Sequence, residues 1–458
     1  MKIPIYSVLL LSFNLAFLAV KSQTKPDKTP NVVIIMADDL DSRQLSCYGG
    51  RNILTRNIDQ LAEEGLQFNS IYASHATCVP TRASLFTGLY PMRHGSFQNH
   101  KPVYKNMKSI GHYLTAMGYR VGLTGKDHST KPKSAFPFDI IDGFQPFCVS
   151  SDDAYTLTET EKYMTTGDKP FCLFIMSINP HKPWDQGDPS EFSAEKLVLP
   201  PNMVDTKETR EQFCKYLAEI RRLDNQVGDV MQLLKKTGQD KNTVFIFLGE
   251  QGPQFPGGKW TCWDYGQKSA MIVRWPGVVK PKSTTDAIVQ YEDITPTIID
   301  IAGGDAIDSL DGKSFLPVIN GKSKTARTYA YGIYNNIPEG PPYPSRSVRD
   351  GHYKLILNLS PEKTYSIKWH NTPGDLGVWQ SWKEKAKTDE KAGFLANRVS
   401  KRPAVEFYDM VKDPYELHNL AGNLAHQKQI ASYTRVLRDW MKQQGDEGAV
   451  VDRVYKRN

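Results

Sequence analysis

Cysteine is scarce in this chain of 458 residues: six are present, at positions 47, 78, 148, 172, 214 and 262, and no two stand as a Cys-x-x-Cys pair. That argues against a disulfide-built scaffold and against a zinc site. If Cys78 is set aside for chemistry, five remain, so at least one is free or paired between chains. Long apolar runs are lacking too, with one exception from Val8 to Val20. That run is too short and too close to the N-terminus to favour a membrane span. With Lys2 before it and Val20-Lys21-Ser22 after it, residues 1–22 read as a secretory signal, followed by a polar linker over 23–30. No cysteine follows the run, which argues against a lipoprotein. The mature chain is therefore expected to be secreted or periplasmic, with no membrane span after signal removal. Charge of one sign does not dominate. The formal excess of +7 suits an anionic substrate without suggesting nucleic acid. Internal repeats are absent, and the one biased stretch is "WKEKAKTDEKAG" (382–393), read as a solvated helix or loop.

The length exceeds what one core usually serves, so two packed units of unequal size are expected. Short apolar runs rich in β-branched residues alternate with amphipathic segments, which predicts an α/β sheet. "NVVIIMA" (31–37), "YRVGLTG" (119–125), "FCLFIMSI" (171–178), "TVFIFLG" (243–249) and "SAMIVRW" (269–275) read as strands buried on both faces. Between them, Asn57 is expected to cap a helix that stops at Gly65. Ile110, Leu114 and Met117 share a helix face, and a long helix runs from about Lys207 to Lys236. Near residue 340 the texture changes to the basic, hairpin-like "SRSVRDGHYKLILN", with a final helix near 424–443. The expectation is a large α/β domain over 31–340, its sheet flanked by helices, and a smaller α+β domain over 341–458.

Ligands in open α/β sheets sit beyond the carboxyl ends of the strands. Asp38 and Asp39 follow the first predicted strand, Lys126 and His128 the second, His181 the third, and Glu250 and Gln251 the fourth. Any one of these taken alone is more often a loop, capping or solvated residue. Four strand ends that all supply polar groups are harder to explain that way. Asp38, Asp39, Glu250 and Gln251 offer only oxygen, which favours a hard divalent cation, Ca²⁺ or Mg²⁺, over zinc. Facing Arg82, Lys126, His128, His181 and Lys259, such a cation makes a site for a tetrahedral oxyanion ester.

Cys78 belongs to this argument through "SHATCVPTRASLFTG" (74–88). Pro80 fits the first turn of a helix that ends at Gly88, so Cys78 stands at the helix N-terminus, where negative charge is favoured. Arg82, one turn on, opposes the helix dipole and should have an anionic partner. Taken alone, Cys78 reads as a small buried hydrophobe. A thiolate phosphatase would place its arginine six positions after the cysteine, where this chain has Ser84. A cysteine protease would leave the oxygen ligands without a task.

"CVPTR" resembles the C-x-P-x-R signature of the type I sulfatases of the alkaline phosphatase superfamily, in which the cysteine is oxidised to formylglycine. "MADDLD", "GLTGKDH", "NPHKPW", "DITPTIIDIAG" and "YDMVKDPYELHNLAG" resemble family motifs in order and spacing across nearly the whole mature chain. The stretch "EQGPQFPGGKWTCWDYG" resembles the heparan N-sulfatase branch. The resemblance implies an alkaline-phosphatase-like mixed sheet. It also implies one Ca²⁺ held by Asp38, Asp39, Glu250, Gln251 and the modified Cys78, and a formylglycine-generating maturation enzyme as partner. The formylglycine diol would attack sulfur and later expel sulfate. Arg82 and Lys126 would steady that diol, His128 would assist its deprotonation, His181 would protonate the leaving oxygen, and Lys259 would hold a sulfate oxygen. One departure is visible: the family usually has Asp, then Asn or His, where this chain has the longer Glu250 and Gln251.

His75, His94, His100, Trp184, Asp185, Trp260, Trp263, Asp264 and Arg346 lie near these motifs and suit a sugar that carries carboxylate or sulfate. Each tryptophan and histidine reads equally as structural. The expected activity is hydrolysis of O-sulfate esters on a polysaccharide, either a glycosaminoglycan or an algal polymer such as ulvan. The alternatives are an N-sulfatase, a phosphodiesterase or phosphonate monoester hydrolase of the same superfamily, and a non-catalytic secreted carbohydrate-binding protein.

Overall fold

The computed structural model describes residues 29–152, 154–371 and 377–451. The expected signal peptide, and all but the last two residues of the expected linker, lie outside the described residues. In chain order the strands are β1 (Asn31–Met36), β2 (Leu66–Phe68), β3 (Ile71–Tyr72), β4 (Arg120–Gly125), β5 (Asp139–Ile141), β6 (Phe171–Met176), β7 (Thr243–Leu248), β8 (Met271–Arg274), β9 (Ser283–Thr285), β10 (Val289–Gln290), β11 (Ala330–Tyr334), β12 (Ser345–Arg349), β13 (Tyr353–Asn358) and β14 (Val405–Asp409). Eight of them form one mixed sheet in the order β5-β4-β6-β1-β7-β8-β2-β9. Within it β5, β4, β6, β1 and β7 run parallel, and β8 is antiparallel to both of its neighbours.

The apolar runs are continuous because both faces of the sheet are covered. On β1, Val33 and Ile35 pack into one core with Phe213, Leu217, Ile220 and Val227 of the Lys207–Lys236 helix. Val32, Ile34 and Met36 alternate into the opposite core, with Leu85 and Phe86 of the Cys78–Thr87 helix and Ile294 and Ile298 of the Ile294–Ile301 helix. Each fully buried aliphatic side chain of this kind contributes about 1.5–3 kcal/mol.

Local chemistry sets where the elements stop. The helix expected to be capped by Asn57 instead spans Arg56–Glu64 with Thr55 at its N-cap. Asn57 is already inside the helix, and its amide donates to Asp224 at 3.2 Å. Gly125 ends β4 at φ +87°, and a Cβ there would lie 2.2 Å from the Met176 carbonyl oxygen. Only glycine permits that turn, and the turn delivers Lys126 to the strand ends.

The smaller unit is an antiparallel sheet in the order β11-β12-β13-β14, covered by the Gln427–Gln444 helix through Leu437, Trp440 and Met441. Its first strand begins at Ala330, before the expected change near 340. The lysine-rich stretch 382–393 belongs to two helices, Val378–Lys385 and Glu390–Ser400, whose Trp382 and Leu395 are core residues. No helix among the described residues is long and apolar enough to cross a membrane. All six cysteines are unpaired.

Candidate active site

The carboxyl ends of β1, β4, β6 and β7 converge on the first turn of the Cys78–Thr87 helix. Asp38 and Asp39 come one residue beyond the end of β1, after Ala37; Glu250 and Gln251 come one residue beyond the end of β7, after Gly249; and all four are buried. Asp39 and Glu250 adopt φ of +64° and +70°, a sparsely populated region for residues with side chains. Tyr216 from the long helix helps hold this turn, its hydroxyl donating to the Asp39 carbonyl at 3.1 Å and accepting from Asp41 N–H at 2.9 Å.

Cys78 sits in the middle of this cluster. Its Sγ lies 3.3 Å from Asp38 Oδ1, 3.8 Å from Asp39 Oδ1, 3.3 Å from Lys259 Nζ and 3.4 Å from Gln251 Nε2. Arg82 has the anionic partner its position demands: Nε reaches Glu250 Oε1 at 2.5 Å, with Asp38 at 3.9 Å and the Ala37 carbonyl at 3.2 Å. Lys126 pairs with Asp38, and Lys259 with Asp39 at 2.7 Å. His181 Nε2 stands 3.5 Å from Asp39 Oδ2, while its Nδ1 bonds the Lys182 carbonyl. That second bond places the neutral ring's proton on Nδ1 and turns the Nε2 lone pair toward the site.

Burial and charge separate the protonation states. Burial alone would raise Asp38, but the Lys126 ammonium, with His181 and Arg82 beyond it, holds it well below the usual carboxylate range. Burial raises Glu250 instead, with Arg82 opposing and Asp38 reinforcing the rise. Burial, reinforced by the charges of Asp38 and Glu250, keeps Cys78 a thiol. Burial also pushes His128 down to about 3, helped by Lys126, and His181 to about 4, helped by Lys259. Both rings are neutral near pH 7.

The residues present fit a hard cation. Ligand atoms of Asp38, Asp39, Cys78 and His181 lie within 4.8 Å of one another, and the buried Gln251 Oε1 has no hydrogen-bond partner. Asp38, Asp39, Glu250 and the Gln251 carbonyl offer the oxygen atoms that could hold a hard divalent cation. With Glu250 ionised against Arg82, three carboxylates balance Arg82, Lys126 and Lys259, and a divalent cation then leaves a positive surplus that an anionic ester can neutralise. The longer side chain at 250 has a visible consequence: one carboxylate oxygen is taken by Arg82, and the other accepts from Asp39 N–H at 3.2 Å and Gln251 Nε2 at 2.9 Å.

Cys78, Lys126, His128, His181 and Lys259 open onto one cavity of about 340 Å³. Of the side chains expected to meet a sugar, His100 and Trp260 line it, and His100 lies 6.0 Å from His128 between ring centroids. The others are placed elsewhere. Trp184 stacks on Phe255 at 4.6 Å in the core and donates to the Pro180 carbonyl. Trp263 donates to Glu406 beneath the Arg398 and Arg402 guanidinium groups. Asp264 is saturated by Arg349 and Lys354, and Arg346 by Asp446. His75 is buried against Thr77 and Tyr334, and His94 against Ser84 and Ser96. Asp185 is exposed and outside the cavity wall. The wall also contains residues the sequence did not single out: Asn99, Lys182, Gln254, Glu339, Lys368 and Trp369.

A cysteine at a helix N-terminus, ringed by carboxylates and cations at the strand ends of this mixed sheet, defines an alkaline-phosphatase-like hydrolase of oxyanion esters. Within that class the chain belongs to the sulfatase family: the Sulfatase family matches residues 30–304, and the N-sulphoglucosamine sulphohydrolase C-terminal family matches residues 258–392. It is a sulfuric ester hydrolase. It is 33% identical to an ulvan-active sulfatase of Formosa agariphila, over 91% of this chain and 81% of that one. It is 25% identical to the human N-sulphoglucosamine sulphohydrolase, over 89% and 88%. A solved structure in complex with its substrate D-glucosamine-2-N,6-O-disulfate superposes with a TM-score of 0.71 at 21% identity, covering 92% of this chain and 99% of that one.

Proposed function

We propose that the protein removes O-sulfate groups from a sulfated polysaccharide or its oligosaccharides outside the cytoplasm, once Cys78 has been oxidised to formylglycine by a maturation enzyme. The observation that carries this reading is the position of Cys78, at a helix N-terminus within 3.8 Å of two aspartates and a lysine and at the wall of a sugar-sized cavity. The relatives named for ulvan and for N-sulphoglucosamine support a saccharide substrate.

Formylglycine supplies a hydrated aldehyde whose hydroxyl is the nucleophile, and a bound Ca²⁺ supplies charge that favours its ionised form and polarises the sulfate. The chain's own residues do the rest. Lys259 meets a sulfate oxygen as a point charge, and Arg82 and Lys126 fix the carboxylates around position 78. His128 is neutral and so free to take a proton from the second hydroxyl. His181 presents Nε2 to the site, and an arriving sulfate monoester raises the ring's proton affinity. The proton gained at Nε2 is then delivered to the leaving sugar oxygen.

Sulfate release from ulvan and glycosaminoglycan oligosaccharides tests the reading. The processed protein should release sulfate, Cys78→Ala should not, and phosphate monoesters and diesters should be poorer substrates. Equal turnover by Cys78→Ala, or preference for a phosphate ester, would contradict it.

A further inference from the structure

The cavity wall contains two buried polar atoms without hydrogen-bond partners. Glu339, 3% exposed, gives Oε1 to the Asn99 amide at 2.7 Å, while its Oε2 has no partner. Trp260, 4% exposed, has an indole N–H with no acceptor. An orphaned buried acceptor and an orphaned buried donor are each costly, and both belong to side chains that line the cavity shared by Cys78, His181 and Lys259.

Neither side chain sits where it does by local preference. Trp260 adopts φ +72°, a conformation costly for a residue with a side chain. Its backbone is clamped on both sides, the N–H by the Ala76 carbonyl at 3.0 Å and the carbonyl by the Tyr365 hydroxyl at 3.0 Å. Glu339 is tied down through its carbonyl, which accepts from Lys368 N–H at 2.7 Å, and through Asn99, whose own N–H reaches the Ile337 carbonyl at 3.3 Å. Segments far apart in the chain thus converge to hold one acceptor and one donor at the wall.

We propose that Glu339 and Trp260 recognise the sulfated sugar itself, Glu339 Oε2 accepting a hydrogen bond from a hydroxyl, amide N–H or ammonium and Trp260 Nε1 donating to a sugar oxygen. This rests on the sulfatase reading and adds which sugars the site takes. Burial raises the Glu339 carboxyl above its ordinary range and the Asn99 amide opposes that rise; in its ionised form the group can only accept, so a sugar with a donor at that place is bound. A uronate or a second sulfate there would bring two anions together in a buried site and is rejected.

The test uses the processed protein and measures kcat/KM for two probes. One is whichever of ulvan oligosaccharides, heparan sulfate oligosaccharides or sulfated glucosamine the wild type turns over best. The other is a nitrophenyl sulfate, which has no sugar. The expected result is a roughly 10- to 100-fold fall in the saccharide-to-aryl ratio for Glu339→Ala, the scale of a hydrogen bond to a charged group. Glu339→Gln, which keeps an acceptor oxygen, should fall less, and Trp260→Phe should fall roughly 5- to 10-fold, as for a neutral bond. A purely structural role would lower both probes together and leave the ratio unchanged. A ratio within about twofold of wild type in all three variants overturns the proposal while the sulfatase reading stands. Failure of the wild type to hydrolyse any of these sulfates overturns the sulfatase reading, and this one with it.

Discussion

Replacing Arg82 by methionine isolates the electrostatics on which the site is built. The guanidinium is completely buried, its Nε lies 2.5 Å from Glu250 Oε1, and Asp38 is 3.9 Å away. Methionine fills much of the same volume, so the packing loss is small and the main effect is a Glu250 carboxyl that loses its counter-charge and must either stay stranded or take up a proton. Breaking a buried pair in this way costs about 3–5 kcal/mol. In buffer with EDTA, the unprocessed Cys78 protein should therefore unfold at a clearly lower urea concentration when Arg82 is Met. The pair Arg82→Met with Glu250→Gln should recover part of the loss, because no charge is left unpaired, giving a coupling of about 1.5–3 kcal/mol. Added Ca²⁺ should also narrow the single variant's deficit, since the cation supplies the positive charge that Glu250 lacks. If single and double variants unfold together, or if neither differs from wild type, Glu250 does not depend on Arg82 and the charge count is wrong.

Two further outcomes follow from buried groups outside the catalytic cluster. Glu292 bonds Ser74 through one oxygen, has no partner for the other, and is pushed by burial to about 7 from its ordinary 4.5. A folded pKa above the unfolded value gives stability that is full below pH 4.5 and lost as the pH rises through 7, about 3 kcal/mol in all. Glu292→Gln cannot ionise, so its urea midpoint should exceed wild type near pH 8 and converge with it near pH 4.5, and parallel pH profiles would refute this. Arg346 joins β12 to Asp446 beyond the C-terminal helix, with both side chains fully buried and a second bond at 2.9 Å. Arg346→Met should cost about 3–5 kcal/mol and expose the C-terminal helix to limited proteolysis, and unchanged protease resistance would count against that tether.

The strand ends were legible because a strand buried on both faces must place its first polar residue where the sheet runs out. Asp38, Lys126 and Glu250 could be found that way, and "CVPTR" could be placed by Pro80 and Gly88. The sugar-facing wall was not legible in the same way. Glu339 lies in a proline- and glycine-rich loop with no periodicity, and it meets Asn99 only through contacts 240 positions apart. Arg346 and Asp264 were misleading for a related reason. A charged residue in sequence does not reveal a partner 85 or 100 positions away, and such a partner turns an apparent ligand into a buried ion pair.

Mass spectrometry of the peptide containing Cys78, taken from protein purified from its native host, should show formylglycine or its hydrate in place of the thiol. A peptide carrying only unmodified cysteine, from protein that hydrolyses sulfate esters at full rate, would contradict the account.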